Sequence, residues 1–229
     1  MKKILLLLMS ILLFASCSVY QTLDVGGKSN TEVIPTDFFR GLLDDLSSWN
    51  TTGSLDKRAL FAFASDLMRS DFARDIKVSR DPETAVCKIG FSFDGLDNLV
   101  NSLSGGLGQQ VLSCENGRFE LNIDMDSYPA LEQMIPLLSD PDFAVYGPRY
   151  NNGMTEENYL EMIEYILGES GPEAIRSSVI EITVVMPDDV LETNGVVTDE
   201  KTVCFSVPLL DFLLLNRPIR LFAECRASS

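Results

Sequence analysis

The feature that most constrains the fold is an Asn-Gly pair, Asn116-Gly117, set between two runs of alternating polar and apolar residues. Such a pair is typical of a two-residue type I′ turn that joins antiparallel strands. We therefore predict a β-hairpin with strands over 110–115 and 118–125. Cys114 then lies opposite the first apolar residue of the second strand. Alternation predicts that four residues of that strand face the core: Phe119, Leu121, Ile123 and Met125.

The remaining elements follow from the periodicity of apolar residues along the chain. Alternation predicts strands near 76–78, 85–93, 179–186, 201–207 and 219–225, and helical spacing predicts helices over 37–49, 55–68 and 96–103. Thr155 is a candidate N-cap for a further helix over 156–167. Its expected apolar face contains Tyr159, Met162, Ile163 and Ile166. The sum is a single α+β domain over 36–229, a mostly antiparallel β-sheet packed with amphipathic helices, with an inserted helical segment over about 127–177.

Residues 1–16 have the composition of a signal peptide, with Lys2 and Lys3 ahead of an apolar run that is too short to span a bilayer comfortably. The order Phe14-Ala15-Ser16-Cys17 resembles the lipobox of bacterial lipoproteins. This resemblance implies cleavage after Ser16, a lipid on Cys17, and attachment to the cell membrane or outer membrane, facing away from the cytoplasm. Two alternatives remain open, a secreted protein with an incidental Cys17 and an uncleaved anchor. Residues 17–35, polar and containing two glycines, are predicted to form the lipidated cysteine and a flexible tether.

Charge and residue usage exclude several classes of function. The chain has 18 Lys and Arg against 34 Asp and Glu, a net charge of −16, and no histidine. This charge argues against nucleic-acid binding and against a basic patch for anionic lipids. The lack of histidine removes Ser-His-Asp and Cys-His catalysis and His-ligated metals. We expect a protein with no enzymatic activity, no catalytic residue, no metal and no cofactor.

Four cysteines remain beyond Cys17, and no two of them have the Cys-x-x-Cys spacing of a zinc or redox site. Strand alternation places Cys87 on the same face as Ile89, Phe91 and Phe93. Buried thiols that pack as small apolar groups are one interpretation, and a disulfide across the sheet is the other. The four residues are Cys87, Cys114, Cys204 and Cys225.

Several acidic and glycine-rich clusters have simple structural explanations. Asp124, Asp126, Asp140 and Asp142 lack the regular spacing of a calcium loop. The acidic residues Glu156, Glu157, Glu161 and Glu164 fit the solvated face of a helix better than the acid and base of a glycosidase. The run Gly105-Gly106-Leu107-Gly108 is not followed by the Lys of a phosphate loop and is interpreted as a connector.

The stretch 142–153 is the candidate interaction loop. It groups three aromatic residues with an arginine and amides around Gly147-Pro148, a combination suited to recognition of a sugar or a protein. The alternative is a loop that packs over the sheet through its own aromatic side chains. The residues that we expect to carry an interaction are Phe143, Tyr146, Arg149 and Tyr150.

One stretch also resembles a known family. An alternating strand over 178–186 ends in Pro187, a short link follows to Asn194-Gly195, and a further strand begins near Thr202. Together with the order of Gly90 to Asp94, the helix after it and the hairpin, this arrangement resembles the extracytoplasmic domain of LppM-type bacterial lipoproteins over roughly 72–126 and 178–226. The resemblance implies an envelope protein whose fold encloses an apolar cavity for a lipid or glycolipid. No binding residue is carried over from it.

We therefore expect a lipid-anchored envelope protein that binds a lipid or another apolar ligand. The alternative is a structural or protein-interaction lipoprotein whose protein partner is unknown. The expected partners are the membrane, through the anchor at Cys17, and a lipid or glycolipid ligand, with no nucleic acid.

Overall fold

The structure is a computed structural model that describes residues 17–35, 70–81, 83–84, 86–104, 107–139 and 144–226. The helices predicted over 37–49 and 55–68 lie outside these residues. Within the described ranges the chain forms eleven strands and six helices. The predicted α+β class is confirmed.

The strands are β1 Cys17–Asp24, β2 Lys28–Pro35, β3 Arg74–Arg80, β4 Cys87–Ser92, β5 Leu112–Glu115, β6 Arg118–Ile123, β7 Val179–Val185, β8 Val190–Thr193, β9 Val196–Asp199, β10 Thr202–Pro208 and β11 Ile219–Cys225. The helices are α1 Leu96–Ser104, α2 Tyr128–Met134, α3 Pro148–Asn151, α4 Glu156–Leu167, α5 Gly171–Ser177 and α6 Leu209–Leu214, with 3-10 turns at Gly108–Gln110 and Pro136–Ser139.

The strands form two sheets. The seven-stranded sheet has the order β3-β4-β2-β1-β7-β10-β9, and the four-stranded sheet has the order β5-β6-β11-β8. Strands β1 and β7 run parallel, whereas the other strand pairs among the described residues are antiparallel. The sheets contact each other through Phe119 of β6 and Phe205 of β10, whose ring centroids lie 6.3 Å apart. One continuous core therefore joins both sheets.

The flexible tether predicted over 17–35 is wrong, because these residues form β1 and β2. Polar side chains on the buried face made the segment resemble a linker. Gln21, Ser29 and Thr31 are all buried, and they satisfy one another. The Gln21 amide donates to the Ser29 hydroxyl at 3.0 Å, and the Thr31 hydroxyl donates to the Gln21 side-chain oxygen. Buried polar groups that are paired in this way are compatible with a central strand.

The predicted hairpin is confirmed. Asn116 and Gly117 have φ values of 52° and 81°, the positive pair that a type I′ turn requires. Cys114 pairs with Phe119, as the alternation indicates. Met125 does not reach the core and is 38% exposed, because β6 ends at Ile123 and the chain turns at Asp124.

Residues 127–139 and 144–177 are largely helical, as predicted for the segment 127–177, but they do not form a separate unit. Tyr128, Met134 and Tyr159 are fully buried in the core that the sheets share. Thr155 caps α4 by accepting a hydrogen bond from the backbone N–H of Asn158. The face predicted for α4 is partly wrong: Ile166 is 47% exposed at the helix end.

The chain crosses from one sheet to the other at Gly195, between β8 and β9. A Cβ atom at this position would lie 2.6 Å from both the Phe205 ring and a Val203 methyl group. Real side chains do not approach so closely, so the crossing requires glycine. The link between the two sheets therefore passes directly against β10 at this residue.

Candidate functional site

The predicted lipidation residue, Cys17, is the first residue of β1 and pairs with Pro35 at the end of β2. Strand β1 is the fourth of seven strands, so this residue begins the central strand of the large sheet. Val19 pairs with Ile180 of β7, and Ile180 pairs in turn with Val207 of β10. At a strand spacing of about 4.8 Å, Val207 lies about 10 Å from Val19 across the sheet.

A groove of about 470 Å³ lies at the same end of the large sheet, between the end of β10, α6 and the start of β11. We call it the end groove. Its volume lies within the range of small-molecule sites, roughly 300–1,000 Å³. Six apolar residues contribute to its lining: Val207, Pro208, Leu214, Pro218, Ile219 and Leu221.

The polar part of the end groove contains two arginines, Arg217 and Arg220, together with Ser206, Asn216 and two acidic residues. Within the described part of the chain, neither arginine side chain has an ion-pair or hydrogen-bond partner. Of the acidic residues, Glu156 accepts from Arg176 at 3.4 Å, whereas Asp211 makes no ion pair with any residue in the described ranges. The site thus combines an apolar lining with two guanidinium groups that are available to an anion.

A second groove of about 420 Å³ lies on the outer face of the four-stranded sheet, and we call it the face groove. The Arg118 guanidinium lies over the Phe222 ring, 4.5 Å from its centroid. It also pairs with Glu120 at 2.6 Å and Glu224 at 2.9 Å. These hydrogen bonds, first to Glu120 and then to Glu224, raise the pKa of Arg118. Because two carboxylates pair with this arginine, Arg220 is the one arginine of the described face-groove lining without an ion pair, whereas the end groove has two such arginines.

The two grooves share Arg220 and Leu221 of β11. In β11 the residues alternate between the two faces of the sheet, and the strand runs from the end groove along the face groove. The sequence analysis did not identify either groove. Residues 206–208 and 216–221 are close in sequence, but only α6 folds them back against each other. Two arginines beside Pro218 in a strongly acidic chain were the available indication.

The candidate interaction loop is only partly exposed. Phe143 lies outside the described residues, and Tyr146 is half-buried. The Tyr159 hydroxyl, whose pKa is raised by burial, donates to the Tyr146 carbonyl at 2.8 Å. Arg149 pairs with Glu132, a glutamate that is only 5% exposed. Arg149 is nevertheless half exposed, and Tyr150 projects to solvent with 68% of its surface exposed.

Amide side chains hold this loop in place together with Tyr146, which packs against the core as the alternative interpretation expected. Asn151 is buried and donates to the carbonyls of Val145 and Gly147. Asn152 donates to the carbonyls of Leu214 and Leu215, at 3.3 Å and 2.7 Å. These contacts attach the loop to the end of α6 and thus to the structure that forms the end groove.

The predicted acidic and cysteine positions have structural roles. Asp124 accepts hydrogen bonds from the backbone N–H groups of Asp126 and Ser127, which organises the turn before α2. None of the four described cysteines beyond Cys17 is in a disulfide, and Cys87 and Cys225 are buried. The structure therefore agrees with the buried-thiol interpretation. In the part of the chain that the structure describes, no helix is long and apolar enough to cross a membrane.

No family model matches the chain. No curated protein matches it. Among solved structures, the chain is similar to the folded domain of LppM from Mycobacterium tuberculosis, determined by NMR. The identity is 14% and the TM-score 0.39, over 93% of this chain and 90% of that domain. A TM-score this low does not establish a common fold, so membership of that family stays a prediction.

Proposed function

We propose that this protein is a lipid-anchored protein of the bacterial cell envelope, without enzymatic activity, whose domain binds a lipid or another apolar ligand. The anchor is assigned to Cys17, on the order Phe14-Ala15-Ser16-Cys17 after a short apolar run. The absence of histidine from the sequence supports a binding role over acid–base catalysis. Its place is the cell membrane or outer membrane, on the side away from the cytoplasm.

The observation that carries the binding function is the composition of the end groove. Apolar side chains from three elements can cover part of an acyl chain, and burial of apolar surface contributes roughly 25 cal/mol per Å². Arg217 and Arg220 can bind an anionic headgroup by charge-assisted hydrogen bonds. Both properties occur within one groove of about 470 Å³. A phospholipid or an acidic glycolipid has this combination of chemistry.

Native mass spectrometry of the full chain, gently purified, tests ligand binding. We expect additional mass that corresponds to an anionic lipid and is lost on delipidation. The double variant Arg217→Gln, Arg220→Gln should retain several-fold less of this lipid. Arg226→Gln is the matched control, because Arg226 is exposed and lines neither groove. An unchanged apo mass after incubation with envelope lipids would contradict lipid binding.

Metabolic labelling tests the anchor separately. Incorporation of radiolabelled palmitate should be abolished by Cys17→Ala and unaffected by Cys204→Ala. Labelling that persists in Cys17→Ala would contradict the assignment of the lipid to this residue. The two experiments are independent, since the groove variants leave Cys17 intact.

The second candidate function is a structural or protein-interaction lipoprotein, and the exposure of two tyrosines favours it. Tyr150 is 68% exposed and Tyr165 is 92% exposed, and tyrosine is common at protein interfaces. A photo-crosslinking amino acid at position 150, compared with position 200 in the β9–β10 turn at the other end of β10 from α6, tests this function. A clean apo mass together with a single crosslinked partner at position 150 would favour it over lipid binding.

A further inference from the structure

We propose that the bilayer is the surface against which the Cys17 end of the seven-stranded sheet rests, with the domain held in one orientation. This inference rests on the proposed lipid anchor at Cys17 and adds what the anchor does to the domain. In the structure no spacer separates Cys17 from the fold, β1 is the central strand, and the end groove lies at the same end of the sheet.

No flexible residues separate the anchor from the fold. Cys17 is already paired with Pro35, and Val19 is paired on both sides, with Val33 and with Ile180. A flexible linker of 16 residues has a root-mean-square length of about 22 Å and lets a domain rotate freely. Here that length is absent, so the acyl chains are joined directly to a hydrogen-bonded strand.

The anchor lies at the end of the middle strand of the sheet. Because β1 is the fourth of seven strands, three strands extend to each side of it. On one side, β2 ends at Pro35 and the β3–β4 turn over 81–86 reaches the same level. On the other side, β7 begins at Val179 and β10 ends at Pro208. Several chain segments thus end beside the anchor on both sides, and together they limit tilting.

The end groove lies at the same end of the large sheet as Cys17. Val207 and Pro208 line it, and Val207 is in register with Val19 through Ile180. The groove is therefore at the end of the domain that the anchor holds at the membrane. In a protein of net charge −16, this places Arg217 and Arg220 near lipid headgroups. A lipid could enter the groove from the bilayer without crossing water.

The opposite end of the sheet lies far enough from Cys17 for probes at the two ends to be distinguished. Seven residue steps along β1 from Cys17 to Asp24 correspond to about 23 Å. The turn between β9 and β10 lies at that far end, because Thr202 pairs with Val185, which pairs with Asp24. Glu83, in the β3–β4 turn, and Glu200, in the β9–β10 turn, are both exposed glutamates. They form a matched pair of positions for measuring orientation.

The experiment uses the full-length acylated protein in vesicles that contain a lipid with a nitroxide on its headgroup. A fluorescent amino acid replaces Glu83 in one preparation and Glu200 in another. We expect the nitroxide to quench the probe at position 83 several-fold more than the probe at position 200. Equal quenching at both positions, or stronger quenching at position 200, would overturn the proposed orientation.

A spacer tests whether the direct attachment of Cys17 to β1 causes the orientation of the domain. Sixteen Gly and Ser residues inserted between Ser18 and Val19 should remove most of the difference between the two probes. The same insertion between Glu169 and Ser170, in the exposed turn after α4, should leave the difference intact. A difference that survives the first insertion would overturn the role of the direct attachment.

The intact mass of each preparation separates the two possible failures. If Cys17 carries acyl chains but the probes are quenched equally, the anchor stands and the orientation is wrong. If Cys17 carries no acyl chain, the anchor fails and the orientation fails with it.

Discussion

The Thr31 hydroxyl donates a hydrogen bond to the side-chain oxygen of Gln21, directly across the β1–β2 pair, where both residues are buried. The Gln21 amide in turn donates to Ser29. This short chain of polar contacts lies inside the core face of the large sheet. It allows a polar segment to occupy the central strands.

Replacing Thr31 with Val should destabilise the protein by about 1–3 kcal/mol, because the buried Gln21 oxygen loses its donor while the shape of the side chain is kept. Thr22→Val is the control, since Thr22 is half-buried and only its backbone carbonyl accepts from Gln21. Urea unfolding with linear extrapolation measures the free energy of unfolding of both variants. Equal stability of the two variants would contradict a role for the polar contact.

The pair between Arg149 and buried Glu132 should show strong coupling in a double-mutant cycle. Arg149→Met leaves a buried carboxylate without its cation and should cost about 1–3 kcal/mol, a range reduced because Arg149 is half exposed. Adding Glu132→Gln should recover part of this loss, since the uncompensated charge is removed. Strictly additive effects on the free energy of unfolding would show that the pair does not interact.

The Asp124 turn should make stability depend on acid pH. Hydrogen bonds to the carboxylate, the largest from the backbone N–H of Ser127, lower the pKa of Asp124 below its ordinary 3.8. A lowered pKa adds stability that is present above that value and is lost as pH falls through the folded-state pKa. Asp124→Asn should therefore cost about 1 kcal/mol at pH 7 and progressively less below pH 4.

The control for this prediction is Asp126→Asn, because only the backbone N–H of Asp126 takes part in the turn. Thermal unfolding at pH 7 and at several values below pH 4 gives the comparison. A cost of Asp124→Asn that stays constant down to pH 2 would argue against the proposed role of the carboxylate.

The Cys114 thiol should react slowly in the folded protein. Burial, with smaller effects of Asp97 and Cys225, raises its pKa from 9.0 to about 11. At pH 8 the thiolate fraction is then about 100-fold lower than in the unfolded chain, and alkylation should slow accordingly. Mass spectrometry of alkylated peptides, with and without urea, gives the ratio of the alkylation rates of Cys114 in the unfolded and folded protein.

The same shift predicts a loss of stability at alkaline pH. The folded state keeps the thiol proton that the unfolded state releases near pH 9, so the contribution is complete below pH 9 and is lost as pH rises toward 11. The Cys114→Ala variant should lack this dependence. If the free energy of unfolding declines identically in the two proteins between pH 9 and pH 11, the Cys114 thiol does not cause the loss of stability.

Local patterns predicted the fold best where one strand or turn determined the outcome. Asn116-Gly117 identified the hairpin because both positions need a positive φ, and Thr155 identified the start of α4 through its capping hydroxyl. The first two strands were missed because Gln21 and Thr31 satisfy each other only after folding. Their polarity alone is indistinguishable from that of a linker.

The end groove could not be predicted for a related reason. Its apolar residues between 207 and 221 have the pattern of ordinary core positions, and their place around one groove depends on how α6 returns the chain to β11. The amide contacts of Asn152 to the carbonyls of Leu214 and Leu215 are equally non-local. Such sites are formed by tertiary contacts, which no local periodicity encodes.

The parallel pairing of Val19 with Ile180 also constrains the order in which the chain can fold. Strands β1 and β2 are neighbours in sequence and can pair at once as a hairpin. The other edge of β1 stays without a partner until β7, which begins almost four-fifths of the way along the chain, pairs with it. Contacts of such long sequence separation form slowly. Until that pairing forms, the strand that becomes the centre of the sheet is an open edge, which invites pairing with another chain.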